Sequence, residues 1–333
     1  MKARQISIAF QTDKTPAAYI ALAMLVNQYA FDGVSVYCDA PFQPSYGPLL
    51  LMAPYLQRAR LGPAAISPFR MHPIDIAANT ALLAGLAQAG VYIGLARGAW
   101  LSDYGIHEPA QPMQGIREAA AVIQYLLTGQ SGGYKGKVYQ IAEHVRTPYP
   151  LPAELPPILI GTWGPKLAAL AGEIADEVKV GGSANPALVP KILEHIRRGE
   201  QRARRTPGSV GLVLGAVTVV DSDRAMARQA AKRSVALYLP VVARLDPSVT
   251  VEPELLERVR TLVNQGQPEQ AGALISDELL DLFAFAGNPN DIIRQAEALF
   301  ETGVRRLEFG TPHGLSPQVG LQLIGEHVLP HLR

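Results

Sequence analysis

The sequence predicts a single (β/α)8 barrel of the TIM type over residues 1–333, and three observations carry that expectation. Eight short apolar runs recur along the chain; most are continuously apolar rather than alternating; and longer stretches with helical start signals separate them. Continuous runs suit parallel strands buried on both faces, and strand–helix repetition with right-handed crossovers closes into a barrel. A doubly wound open sheet is the alternative.

The strand candidates are residues 6–10, 34–38, 60–66, 91–95, 158–161, 178–181, 211–220 and 305–309. Thr15 before Pro16 offers an N-cap and a first-turn proline for a helix over 17–30, and His72-Pro73 opens 74–89 in the same way. Further helices read over 114–127, 166–175, 187–202, 222–239 and 289–301, and Pro317 opens a terminal helix towards Leu329. Two insertions break the rhythm. Residues 131–157 carry Gly132-Gly133 and then five prolines, which reads as a hairpin followed by an extended loop. Residues 240–287 show apolar positions at helical spacing through Leu255, Val259 and Leu262 and again through Leu274, Leu279 and Leu282, a mostly helical insertion between the seventh and eighth strands.

Apolar residues make up 48% of the chain and charged ones 18%, the profile of a chain with a large core. Lys plus Arg number 30 against 29 Asp plus Glu, so no whole-chain field recruits nucleic acid or an anionic membrane surface. The single cysteine, Cys38, allows no intrachain disulfide and fits a reducing compartment, with cytoplasm the expected location. Behind Lys2 and Arg4 the apolar run 6–10 is too short for a signal segment, and nothing approaches the roughly 20 apolar residues of a membrane span. The seven histidines show no metal-ligand spacing, and no Gly-x-Ser-x-Gly or Ser-x-x-Lys motif is present.

In a barrel the reacting groups sit at the C-terminal strand ends and in the loops after them. The second strand ends in Tyr37-Cys38-Asp39-Ala40-Pro41, where Asp39 reads either as a group that orients a ligand or holds a proton, or as a turn residue; Cys38 reads as a small packing residue. The third ends in Gly62-Pro63-Ala64-Ala65-Ile66, small enough for a flat ligand to approach. The fourth ends in Ala96-Arg97-Gly98-Ala99-Trp100, where Arg97 supplies a permanent cation. After the fifth strand, Gly161-Thr162-Trp163-Gly164-Pro165-Lys166 leads into a helix, so amides at a helix N-terminus meet a hydroxyl and a lysine, the makings of a phosphate seat. The sixth ends in Val180-Gly181-Gly182, a second backbone-rich concavity.

Taken in order, residues 30–33, 61–73, 93–98, 104–106, 116–119, 164–176 and 287–289 resemble the luciferase-like superfamily of flavin and deazaflavin oxidoreductases, and within it most closely the methylenetetrahydromethanopterin reductase type that uses coenzyme F420. The resemblance implies a coenzyme lying across the C-terminal rim, its phosphate on Gly161 to Lys166, and a non-proline cis peptide at or beside Ala64-Ala65 under the ring. It also implies Asp39 as the principal polar group near the reacting ring, Arg97 balancing its charge, and a homodimer. Three acidic or histidine positions of such relatives are alanine here, at Ala9, Ala40 and Ala99, so the pterin substrate is not carried over. The leading expectation is hydride transfer between F420 and an unidentified small-molecule substrate. An FMN-dependent monooxygenase and a cofactor-binding protein without turnover are the alternatives, and Asp103 and Glu108 are reserve proton donors.

Overall fold

The computed structural model describes residues 4–99 and 101–333; Lys2 of the N-terminal reading and Trp100 of the fourth-strand motif lie outside them. Eight strands make the barrel: β1 (Gln5–Phe10), β2 (Gly33–Val36), β3 (Arg60–Pro63), β4 (Ile93–Ala96), β5 (Ile158–Gly161), β6 (Glu177–Gly181), β7 (Gly211–Val220) and β8 (Arg306–His313). They pair in parallel in the order β3-β2-β1-β8-β7-β6-β5-β4. Parallel bridges Leu61–Val91 and Ile66–Leu95 join the two ends of that order, which closes the barrel and excludes the open sheet.

The expected helix starts are present. Thr15 accepts a hydrogen bond from Ala18 N ahead of the helix Pro16–Val26, and the ring of His72 accepts from Ile74 N ahead of Pro73–Ala84. Both helices end earlier than periodicity predicts. Asn27 is taken by tertiary contacts, its side chain accepting from Gln57 N at 2.9 Å and its carbonyl from Arg58 at 3.0 Å, which turns the chain towards β2. A short helix at Tyr46–Met52, absent from the sequence reading, follows β2. Pro48 falls in the first turn, where its missing N–H has no acceptor to lose.

The first insertion forms the expected hairpin, Tyr134–Lys135 against Gln140–Ile141. Glu118, on the helix Pro112–Leu127, accepts from the backbone of Lys137, Val138 and Tyr139 at 2.7–2.9 Å and so fastens that hairpin to the barrel. The second insertion is mostly helical, as expected, and adds one strand that periodicity did not show. Helices Leu239–Leu245, Pro253–Asn264, Pro268–Ala273 and Asp277–Phe283 are followed by a strand, Ala284–Gly287, paired in parallel with the C-terminal half of β7. Ala284, Phe285 and Ala286 are fully buried there, and a four-residue apolar run is too short to separate helix from strand by periodicity. This insertion has its own apolar cluster, in which Leu256, Leu280 and Phe283 pack with Val219 of β7 and Val235 of the helix Arg224–Ala236. The main core fills the space between the barrel strands and the surrounding helices.

Candidate active site

Strand alternation sends every second side chain into the barrel, and the inward residues stack in layers. At the N-terminal end Glu177 takes hydrogen bonds from Arg306 at 2.6 Å and Arg60 at 3.1 Å, and both guanidinium groups lie 5.5 Å from the Tyr92 ring. One step higher, the fully buried Glu308 is paired with Lys179 and accepts from Ser35, whose hydroxyl lies 2.7 Å from that of Tyr92. Burial pushes the Glu308 carboxyl up, but the ammonium of Lys179 and the guanidinium of Arg306 outweigh it and hold it below its ordinary range.

Two residues further along these strands the inward positions become small: Ala9 after Ser7, Gly181 after Lys179, Gly310 after Glu308. Ala96 and Gly161 complete the far side, where a Cβ built at Gly161 would lie 3.4 Å from that of Ala96 and 3.5 Å from that of Ala65. The peptide between Ala64 and Ala65 is cis, where the family resemblance implied one. Ala64 N is bonded to Val36 O at 2.8 Å and Ile66 N to Gly94 O at 2.9 Å, so the bulge is held on both sides. The C-terminal end of the barrel is thus a shallow bowl walled by glycine and alanine backbone, with Tyr37 the large inward side chain after Ser35.

Asp39 stands exposed on the rim and accepts from Gln11 Nε2 at 3.3 Å. Its loop is fastened by Arg70, which donates to Cys38 O at 2.8 Å, and by the Tyr104 hydroxyl, which donates to Ala40 O at 3.2 Å. Burial raises the Cys38 thiol to about 12, which suits packing and not nucleophilic attack. Arg97 is engaged by a reserve acid, donating from Nε to Glu108 Oε1 at 2.8 Å and from its second arm to Oε2. Gly98 beside it has φ +96°, a left-handed conformation that glycine adopts without strain. Asp103 is exposed.

At the expected phosphate seat, Gly164 caps the helix Pro165–Ile174 without a side-chain partner. The first amide bonded back to the cap is that of Ala168, to Gly164 O at 3.0 Å, which leaves the amides of Lys166 and Leu167 ahead of it open. The Thr162 hydroxyl accepts from Gly164 N at 2.9 Å, and Trp163 Nε1 donates to Gly181 O at 2.9 Å, tying this loop to the end of β6 next to Val180. The side chain of Lys166 is exposed and lines a groove with Gln114, Arg117, Glu173 and Arg202 on the barrel's flank. A larger cleft of about 560 Å³, between Arg224–Ala236 and the second insertion, is lined by Arg224, Arg228, Lys232 and Arg233. Each of these cations is paired with an acid: Asp291, Asp281, Asp277 and Glu269 respectively.

Sequence reading missed the charged column below the bowl. Its signal was present: Lys179 and Glu308 each stand alone between apolar residues within a strand, in Val178-Lys179-Val180 and Leu307-Glu308-Phe309. A buried charge must be paired, but the partner lies 129 residues away in sequence.

A family model described as luciferase-like monooxygenase matches residues 5–306. The 5,10-methylenetetrahydromethanopterin reductase of Methanopyrus kandleri is 27% identical, over 96% of this chain and 96% of that protein. An F420-dependent glucose-6-phosphate dehydrogenase of Nakamurella multipartita is also 27% identical, over 96% of this chain and 93% of its own. Among solved structures, the coenzyme F420-dependent tetrahydromethanopterin reductase of Methanopyrus kandleri superposes with a TM-score of 0.90 at 24% identity, covering 99% of this chain and all of that one.

Proposed function

This chain belongs to the luciferase-like monooxygenase family, and we propose that within it the protein is an oxidoreductase that moves a hydride between coenzyme F420 and a small-molecule electrophile. The observation that carries this reading is the bowl itself: Ala65, Ala96, Gly161 and Gly181 leave one end of the barrel with no side chain larger than a methyl group, so a flat ring system fits against its wall. The names of the curated relatives supply the coenzyme class.

When bound, the deazaflavin supplies the hydride and accepts it back. The chain's own groups do the rest. The bulge at Ala64, Ala65 and Ile66 forms the surface under the ring, and the loop Gly161, Thr162, Trp163, Gly164, Pro165 and Lys166 presents open amides of a helix N-terminus to the phosphate, with Val180 and Gly181 beside it. Asp39 meets the ring's polar edge from the rim, and Arg97 with Gly98 borders the same mouth. The same reading includes a homodimer, drawn from the family resemblance, and a cytoplasmic location, drawn from the single cysteine, Cys38.

Fluorescence titration of the purified protein with F420 and with FMN tests the proposal. Saturable F420 binding at least about tenfold tighter than FMN is expected. Tighter FMN binding would move the protein to the monooxygenase reading, and binding of neither would end the coenzyme assignment.

A further inference from the structure

We propose that Tyr37 is a catalytic residue of this site, its hydroxyl donating a hydrogen bond to the heteroatom of a substrate C=O or C=N group. The inference rests on reading the bowl as the hydride-transfer site and deepens it by naming the substrate's reacting group.

Ser35, Tyr37 and Asp39 alternate along β2 and its extension, and Ser35 already points into the barrel at Glu308. Tyr37 therefore rises from the same inward column into the bowl, where its neighbours in the layer are glycine and alanine. Its hydroxyl lies over the backbone of β8: a Cβ built at Gly310 would come within 2.5 Å of Tyr37 Oη. Lys179 Nζ sits 5.1 Å from the ring centroid below, so the phenol is held between an ammonium and the cavity.

The hydroxyl makes no hydrogen bond to the described residues, and the side chain is only partly buried, so its donor is open towards the bowl. Every other polar side chain of the inward column below is satisfied by a neighbour in its own layer or by the ion pairs described above, with the exception of two nitrogens of Arg306 at the opposite end. A lone, open donor at the floor of an apolar bowl is the position from which a reacting heteroatom is recognised.

Burial and the nearby Glu308 carboxylate raise the phenol well above its ordinary range, so it remains a donor throughout the neutral region. A hydride arriving at the carbon of a C=O or C=N bond forms the new C–H bond and sends the π pair to the heteroatom. That atom, now strongly basic, takes the Tyr37 proton, and the tyrosinate regains one from water at the mouth. The mouth beyond is mixed: Asp39 and Arg97 stand on its rim, Tyr238 lies close enough to Tyr37 and Asp39 for their charges to act on one another, and Val242 of the second insertion lies 3.0 Å from a Cβ built at Gly182. The substrate class that fits is a compound with a reducible carbonyl or imine group.

The probe is 4-nitrophenolate, a planar oxyanion that reads hydrogen-bond donation without turnover. It is titrated calorimetrically, at a pH where it is ionised, into wild type and Tyr37→Phe, each alone and loaded with oxidised F420. F420 affinity of both proteins is measured separately by fluorescence. Wild type is expected to bind the probe, Tyr37→Phe to bind it about tenfold more weakly, and F420 affinity and melting temperature to stay unchanged. Equal probe affinity in the two proteins, or no probe binding to wild type, overturns the assignment of Tyr37. Failure of F420 to bind wild type overturns the coenzyme reading instead, and the titration without coenzyme still decides for or against the tyrosine donor.

Discussion

Replacing Lys179 by methionine isolates the buried ion pair under the bowl. The ammonium is 7% exposed at the side chain and its partner Glu308 is 0% exposed, so the substitution leaves a carboxylate in the barrel with hydroxyl partners only. Stripping one partner from a buried pair costs about 3–5 kcal/mol. At about 2.1 cal/mol/K per residue, a chain of 333 residues loses about 4–7 °C of melting temperature for that amount. Removing both charges behaves differently. In Lys179→Met with Glu308→Leu, Ser35 keeps the Tyr92 hydroxyl at 2.7 Å, Ser7 keeps Leu307 O at 3.2 Å, and Arg306 keeps Glu177 at 2.6 Å, so no group of this layer is orphaned. The double variant is therefore expected within about 2 kcal/mol of wild type, since apolar replacements of buried pairs are often neutral or stabilising. Urea unfolding of wild type, both single variants and the double variant measures the coupling as a double-mutant cycle. A Lys179→Met loss below about 1 kcal/mol, or a double variant that loses as much as the two singles together, would refute the reasoning that the ammonium is there to satisfy Glu308.

Three further outcomes follow from the same geometry. Glu118→Gln, which spoils the acceptor for three hairpin amides, is expected to destabilise by about 2 kcal/mol at neutral pH. Burial pushes that carboxyl up, but the bonds from Gln114, Tyr139, Val138 and Lys137 hold it at about 2 against an ordinary 4.5, so the wild-type advantage is complete above that ordinary value and fades as pH falls towards 2, which thermal melts across acid pH will show or deny. Lys166→Ala and Gly164→Val are each expected to weaken F420 binding several-fold by fluorescence titration while the melting temperature of the coenzyme-free protein barely moves; full affinity in both would remove the phosphate from residues 161–166. Asp39→Asn is expected to slow single-turnover hydride transfer, followed by deazaflavin absorbance, and an unchanged rate would reduce Asp39 to a turn residue with its partner Gln11.

The apolar runs and their spacing already specified eight parallel strands with helical crossovers, because a strand buried on both faces must be apolar throughout and a parallel strand needs a crossover long enough to hold a helix; barrel over open sheet was settled by the bridges Leu61–Val91 and Ile66–Leu95. Local chemistry specified helix starts at Thr15 and His72 and the open amides after Gly164, since caps and first-turn prolines act within a few residues. The family resemblance placed the cis peptide at Ala64-Ala65. Tertiary structure alone decided the rest. Whether residues 284–287 are strand depends on β6 pairing with β7 only as far as Gly215 and leaving that edge of Val217–Val220 to them, which no local pattern records. Asn27 ends its helix because residues 57 and 58 reach it. Lys179 and Glu308 look like isolated charges until closure of the barrel sets β6 and β8 on either side of β7 and turns both side chains inward. In the sequence Ala9 reads only as a missing acid, Gly161 and Gly181 read as backbone-rich strand ends, and Ala96 and Gly310 carry no signal of their own. Only the shared inward face, set by strand register and the two-residue alternation, makes them one bowl with Tyr37 on its floor.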